Sequence, residues 1–168
     1  MTNGRRIVTA VALCLAQILL SNYLYLSHYL VLNLLPLVIL SVPESRNVNI
    51  AMLIAFVAGF AVDFASSGIL GLSSASLLPV AILRFPILRA VGGEEYMVHR
   101  DSPPVGHLTT RGVFLATLSA AAVFFLCYVF IDAAGTRPLW FNLTRMALSS
   151  VASAALMTFL NRFLFVEK

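Results

Sequence analysis

From Ile50 to Val62 the chain carries no polar side chain, and apolar runs of this kind recur along most of its length. A run so long must be buried, either in a large core or in lipid. The core option fails on charge. Of 168 residues, 60% are hydrophobic and 11% charged, with a mean hydropathy of +0.94. Soluble domains carry roughly 25% charged residues, so there is too little charge here to cover a water-facing surface. The chain reads as an all-α integral membrane protein, a single polytopic domain over 1–168 with no room for a soluble domain.

The +4 net charge does not point to nucleic acid. Arg5-Arg6 is the longest basic run and Lys168 is the one lysine, so the basic residues act as topology determinants. Cys14 and Cys127 lie inside apolar runs as buried small hydrophobes. No CxxC or Cys/His spacing suggests a disulfide or metal site, and no cofactor is implied. Arg5-Arg6 followed by Ile7 to Leu20 resembles a signal sequence. Ser21-Asn22-Tyr23-Leu24-Tyr25 then stands where a small-residue cleavage site would fall, so a retained first helix is expected.

A crossing needs about 20 mostly apolar residues. Six spans are expected, at about 7–26, 29–42, 50–64, 69–83, 112–131 and 139–160. The second is short and holds Asn33 and Pro36, so it must be tilted, kinked or partly re-entrant. Residues 84–111, which hold Pro103-Pro104 and much of the charge, are expected to form a polar cytoplasmic loop. With the N-terminus inside, Arg5, Arg6, Arg46, Arg84, Arg89, Arg100, Arg111, Arg162 and Lys168 face the cytoplasm, against Arg137 and Arg145 on the outer side. That asymmetry places both termini in the cytoplasm. Tyr23, Tyr25, Tyr29, Trp140 and Phe141 supply aromatic anchors at the outer boundary. There is no convincing internal repeat.

Asp63 stands at the end of the run from Ile50. A carboxylate at membrane depth is costly and marks function or specific assembly. Ala51, Ala55 and Gly59 recur at spacing four and Asp63 continues that row, a small-residue face that lets helices approach closely. The carboxylate is therefore expected to enter a helix–helix contact; snorkelling to the outer interface is the alternative. Asp63 lies roughly 20 Å above the start of its span and Arg145 about 9 Å below the outer end of the last. In a core about 30 Å thick these depths nearly coincide. An Asp63–Arg145 pair is expected, with Asp132 the competing partner for Arg145. Ser149 and Ser153 follow Arg145 at spacing four. Ala12-x-x-x-Ala16 is a second close-packing signature, either an outer docking face or internal packing.

Catalytic signals are thin. Gly71-Leu72-Ser73-Ser74 faintly resembles the nucleophile turn of a membrane serine protease. His28, His99 and His107 all lie in or beside loops, however, and a Ser with no base in reach is not activated. Asn142-Leu143-Thr144 matches a glycosylation acceptor, a pattern short enough to arise by chance.

Taken together, the Pro36-containing second span, Gly59-x-x-x-Asp63, the Gly68-Ile69-Leu70-Gly71 bend, Arg84-Phe85-Pro86-Ile87-Leu88-Arg89, Gly92-Gly93-Glu94-Glu95 and the Pro103 loop resemble the MreD family of rod shape-determining membrane proteins. The resemblance covers nearly the whole chain and departs from the pattern at Leu37, where an acidic residue is expected. It implies a non-enzymatic scaffold of the bacterial inner membrane. Such a scaffold binds an MreC-like single-span protein and works indirectly with MreB filaments, RodA and its transpeptidase in peptidoglycan synthesis during elongation. The family is similar in architecture to the S components of energy-coupling-factor transporters, which implies a six-helix bundle. A vitamin-binding transporter subunit is the alternative function, with Asn22, Asp63, Arg145 and Ser149 furnishing a small polar pocket. For the scaffold, Ala51, Ala55 and Gly59 are expected to form the groove that a partner span enters, with Gly68 and Gly71 contacting its outer juxtamembrane segment. Asp63 and Arg145 are expected to be structural intramembrane charges.

Overall fold

The computed structural model describes residues 3–23, 30–42, 47–66, 69–92, 108–133 and 138–164. Six helices occur among them: α1 (Asn3–Tyr23), α2 (Leu35–Leu40), α3 (Val48–Ala65), α4 (Leu72–Gly92), α5 (Thr110–Ala133) and α6 (Leu139–Leu164). Helices α3 to α6 are long and apolar enough to cross a membrane, while the apolar part of α1, Ile7–Tyr23, is shorter. The protein is a multi-pass membrane protein by this criterion. Only 28–39% of the residues in each apolar window of α3 to α6 are buried within the bundle. The remaining faces carry side chains such as Leu53, Phe56, Val57, Leu115, Leu126 and Val151, all at least half exposed. An exterior this apolar suits lipid and not water.

Consecutive long helices run antiparallel. The end of α3 meets the start of α4 through Asp63 and Ser73, and the end of α5 meets the start of α6 through Asp132 and Arg145. Arg162, near the end of α6, reaches Thr110 at the start of α5. Tyr23 and Trp140, both more than 80% exposed, therefore share one end of the bundle. Arg89, Arg111 and Arg162 share the other. The core is built on α2, with Leu13, Leu77, Val80, Leu88, Phe124, Phe125 and Met157 gathered around it. Phe124 and Phe125 pack edge to face at 5.3 Å.

The second span, expected to be tilted, kinked or partly re-entrant, is not a continuous helix. Residues 31–34 have no regular structure, and only Leu35–Leu40 is helical, buried along its whole length. Pro36 lies in the first turn, where its missing N–H costs nothing. Irregular backbone at membrane depth must be satisfied by protein, and here it is. Val31 N–H donates to Ser149 Oγ at 3.0 Å and Asn33 N–H to Ser153 Oγ at 3.0 Å. Leu34 N–H donates to Gln17 Oε1 at 2.7 Å, and Leu35 N–H to Asn33 Oδ1 at 2.8 Å.

One expectation about the spans is corrected, that of a loop from residue 84. Helix α4 continues through Pro79 and Pro86 to Gly92, as transmembrane helices packed against neighbours tolerate. Arg84, expected in water, is 4% exposed and donates through Nη1 to the Val42 carbonyl at 3.1 Å. It secures the backbone just beyond the end of α2.

Candidate functional site

Besides the groups around residues 31–34 and the Arg84–Val42 contact, polar side chains gather in three places: the α3–α4 seam, the α5–α6 seam near Trp140, and the α5–α6 seam near Arg162. In the first, Ala51 and Ala55 are fully buried. A Cβ built on Gly59 would sit 2.6 Å from both the Cα and the N of Ser74. The row at spacing four therefore does its work inside the chain: it admits α4 to backbone contact. The expectation that Ala51, Ala55 and Gly59 form an open groove for a partner span is corrected, because α4 already fills it.

Asp63 completes this seam. Its Oδ2 accepts from Ser73 N–H at 2.9 Å, in the first turn of α4, where backbone N–H groups lack partners within the helix. A carboxylate there also meets the positive end of the helix dipole. Asp63 is thus a cap supplied by the neighbouring helix, buried at 5% exposure, and does not snorkel. Ser74 Oγ donates to the Phe56 carbonyl at 3.1 Å, so the hydroxyl of the supposed nucleophile turn serves packing. Gly71 enters the turn with φ +88°, a conformation that favours glycine. Gly68 lies outside the described residues, as do His28, His99 and His107.

The expected Asp63–Arg145 pair is not formed. Arg145 donates through Nη1 to Asp132 Oδ2 at 2.6 Å. Asp132 lies at the end of the helix that packs directly on α6, while Asp63 is held by α4. Asn142, one turn before Arg145, is 2% exposed, which does not fit a glycosylation acceptor. Its Oδ1 and the Nε of Arg145 are buried without hydrogen-bond partners. The four residues expected to line an S-component-like pocket each have a partner within the chain. Asn22 Nδ2 donates to the Ala65 carbonyl at 3.3 Å; Ser149 receives Val31 N–H; Asp63 and Arg145 are engaged as described. Ala12 is exposed, while Ala16 is half-buried against the core.

The third place was not anticipated. Between α5 and α6 near Arg162 lies a cavity of about 370 Å³ lined by Leu108, Thr110, Val113, Thr158, Asn161 and Arg162. Arg162 Nη2 donates to Thr110 Oγ1 at 3.2 Å, and Thr117 and Thr158 share a hydroxyl contact at 3.3 Å below. Residues 108–162 meet here only after the chain folds back, so sequence spacing gives no hint of it. Gln17 was also missed, although an amide inside an apolar span must find partners. It donates to Ser21 Oγ and the Leu32 carbonyl while accepting from Leu34. No cluster of three His, Cys, Asp or Glu side chains suited to a metal occurs among the described residues.

No protein-family model, curated protein or solved structure matches this chain.

Proposed function

We propose that this protein is a non-enzymatic scaffold of the bacterial cell-elongation complex, of the MreD type. It sits in the inner membrane with both termini cytoplasmic and the Arg89–Arg111–Arg162 end inside the cell. Its partner is an MreC-like single-span protein, through which it acts with MreB filaments, RodA and the transpeptidase to position lateral peptidoglycan synthesis. The reading rests on the resemblance of the Pro36 span, Gly59-x-x-x-Asp63 and the Gly68–Gly71 bend. Helix α1 then serves as a further crossing, since 21 residues at about 1.5 Å each reach the thickness of a hydrocarbon core.

One observation favours a scaffold over the transporter subunit. Asn22, Asp63, Arg145 and Ser149 are each hydrogen-bonded within the chain. A ligand pocket needs polar groups that converge on empty space, whereas these hold helices and irregular backbone in place. Depleting the protein tests the reading: rounded cells are expected, together with recovery of an MreC-like protein from gentle-detergent pull-downs. Normal rods that require a vitamin would instead establish the transporter subunit.

A further inference from the structure

The cavity between α5 and α6 lies at the end of the bundle where the exposed arginines gather, and nothing in the scaffold reading uses it. Its lining has two characters. Arg162, Thr110, Thr158 and Asn161 supply a guanidinium, two hydroxyls and a carboxamide, while Leu108 and Val113 supply an apolar wall. Arg162 is exposed and has no carboxylate partner among the described residues. Both described carboxylates, Asp63 and Asp132, are committed at the opposite end of the bundle. A planar guanidinium beside the Thr110 hydroxyl, whose own O–H is left to donate, matches the oxygens of a phosphate.

The surroundings decide which phosphate. Phe159 and Phe163, 60% and 70% exposed, lie with ring centroids 4.9 Å apart and tilted planes on the same helix as Arg162. They offer an apolar surface next to the charged mouth, in a protein whose exterior faces lipid. A free anion has no use for that surface; an acyl chain does. Basic pockets between transmembrane helices at the cytoplasmic boundary are suited to anionic headgroups.

We infer that this cavity binds the headgroup phosphate of an anionic phospholipid, with Arg162 and the hydroxyl group of Thr110 as its recognition groups and the Phe159–Phe163 face supporting the acyl chain; the Thr158 hydroxyl donates to the Ala154 carbonyl at 2.7 Å and only lines the wall.

The test uses the purified full-length chain in a mild nonionic detergent, with lipid retention followed by native mass spectrometry. Dioleoyl-phosphatidylglycerol is the probe and dioleoyl-phosphatidylcholine the reference. The wild-type chain retains the first lipid in preference to the second. Arg162→Ala weakens retention about tenfold, the loss of a charge-assisted contact. Thr110→Val, which leaves the charge unchanged and removes the hydroxyl beside the guanidinium, also weakens it. Arg89→Ala, at the same end but outside the cavity, has a much smaller effect. Thermal melting in the same detergent confirms that each variant keeps its fold. Three results overturn the site. Arg89→Ala matching Arg162→Ala would mean diffuse surface attraction. Equal retention of the two lipids would remove the preference for anionic lipid. Displacement of the lipid by inorganic phosphate at equal affinity would assign the cavity to a free anion.

Discussion

Where α3 meets α4, backbone lies against backbone; where α5 meets α6, side chains make the join. In the first seam Gly59 brings the chain so close to Ser74 that a single added carbon finds no space, and Asp63 caps the facing helix. In the second, an ion pair closes one end, threonine hydroxyl groups meet further along, and the other end stays open as a cavity. Lipid offers little hydrophobic drive for helix association, so close packing and interhelical hydrogen bonds must supply it. The contrast teaches that the two devices leave different residues. Contact through glycine fills its own surface and leaves nothing to bind, whereas contact through long polar side chains leaves space and unsatisfied groups.

The largest test of that contrast is Gly59→Leu. With backbone atoms on the other side, α3 and α4 must separate, at a cost of about 3 kcal/mol or more. Accumulation in the membrane and co-purification with a partner should fall together. A variant that accumulates normally but loses its partner would restore the open groove and break the comparison.

Next comes Arg145→Met, expected to lower stability by about 2 kcal/mol because the Asp132 carboxylate loses its cation in a poorly solvated place. Combining it with Asp132→Leu should recover part of the melting temperature. Should the double variant melt no higher than the single one, the α5–α6 seam does not depend on the pair.

The smallest effect is expected at Asp63. Removing the cap with Asp63→Ala should cost about 1 kcal/mol, while Asp63→Asn keeps an accepting oxygen and should lie close to wild type in thermal melting. If Asn is as harmful as Ala, the negative charge at the α4 terminus carries the interaction and not the hydrogen bond.

Much of the architecture was readable along the chain. The apolar runs behind α3, α5 and α6 are sustained enough to declare themselves, because a crossing is a local property of about 20 residues. The row Ala51, Ala55, Gly59 and Asp63 was likewise recognisable as a face that makes a close helix contact. What it contacts was not. A row of small side chains can admit a helix of its own chain or of another, and only the position of α4 distinguishes them.

The 84–111 segment shows a different limit. Arg84, the first of the charges that run to Arg111, reads as the edge of a loop, yet a buried carbonyl at Val42 gives that guanidinium a partner 42 positions away. The depth argument for Asp63 and Arg145 failed for a related reason: it fixed the height of each charge in the membrane but not which neighbour stood beside it.

The sequence alone pointed to lipid as the solvent for this chain, located most of its long apolar stretches, and required that its few buried charges be satisfied. Those follow from solvation free energies that each segment carries wherever it goes. Tertiary structure decided how they are satisfied: Asp63 by the Ser73 amide, Arg145 by Asp132, and the unwound 31–34 backbone by Gln17, Ser149 and Ser153. A hydrogen bond is a matter of a few tenths of an ångström between groups far apart in the chain, and that geometry exists only once the helices have packed.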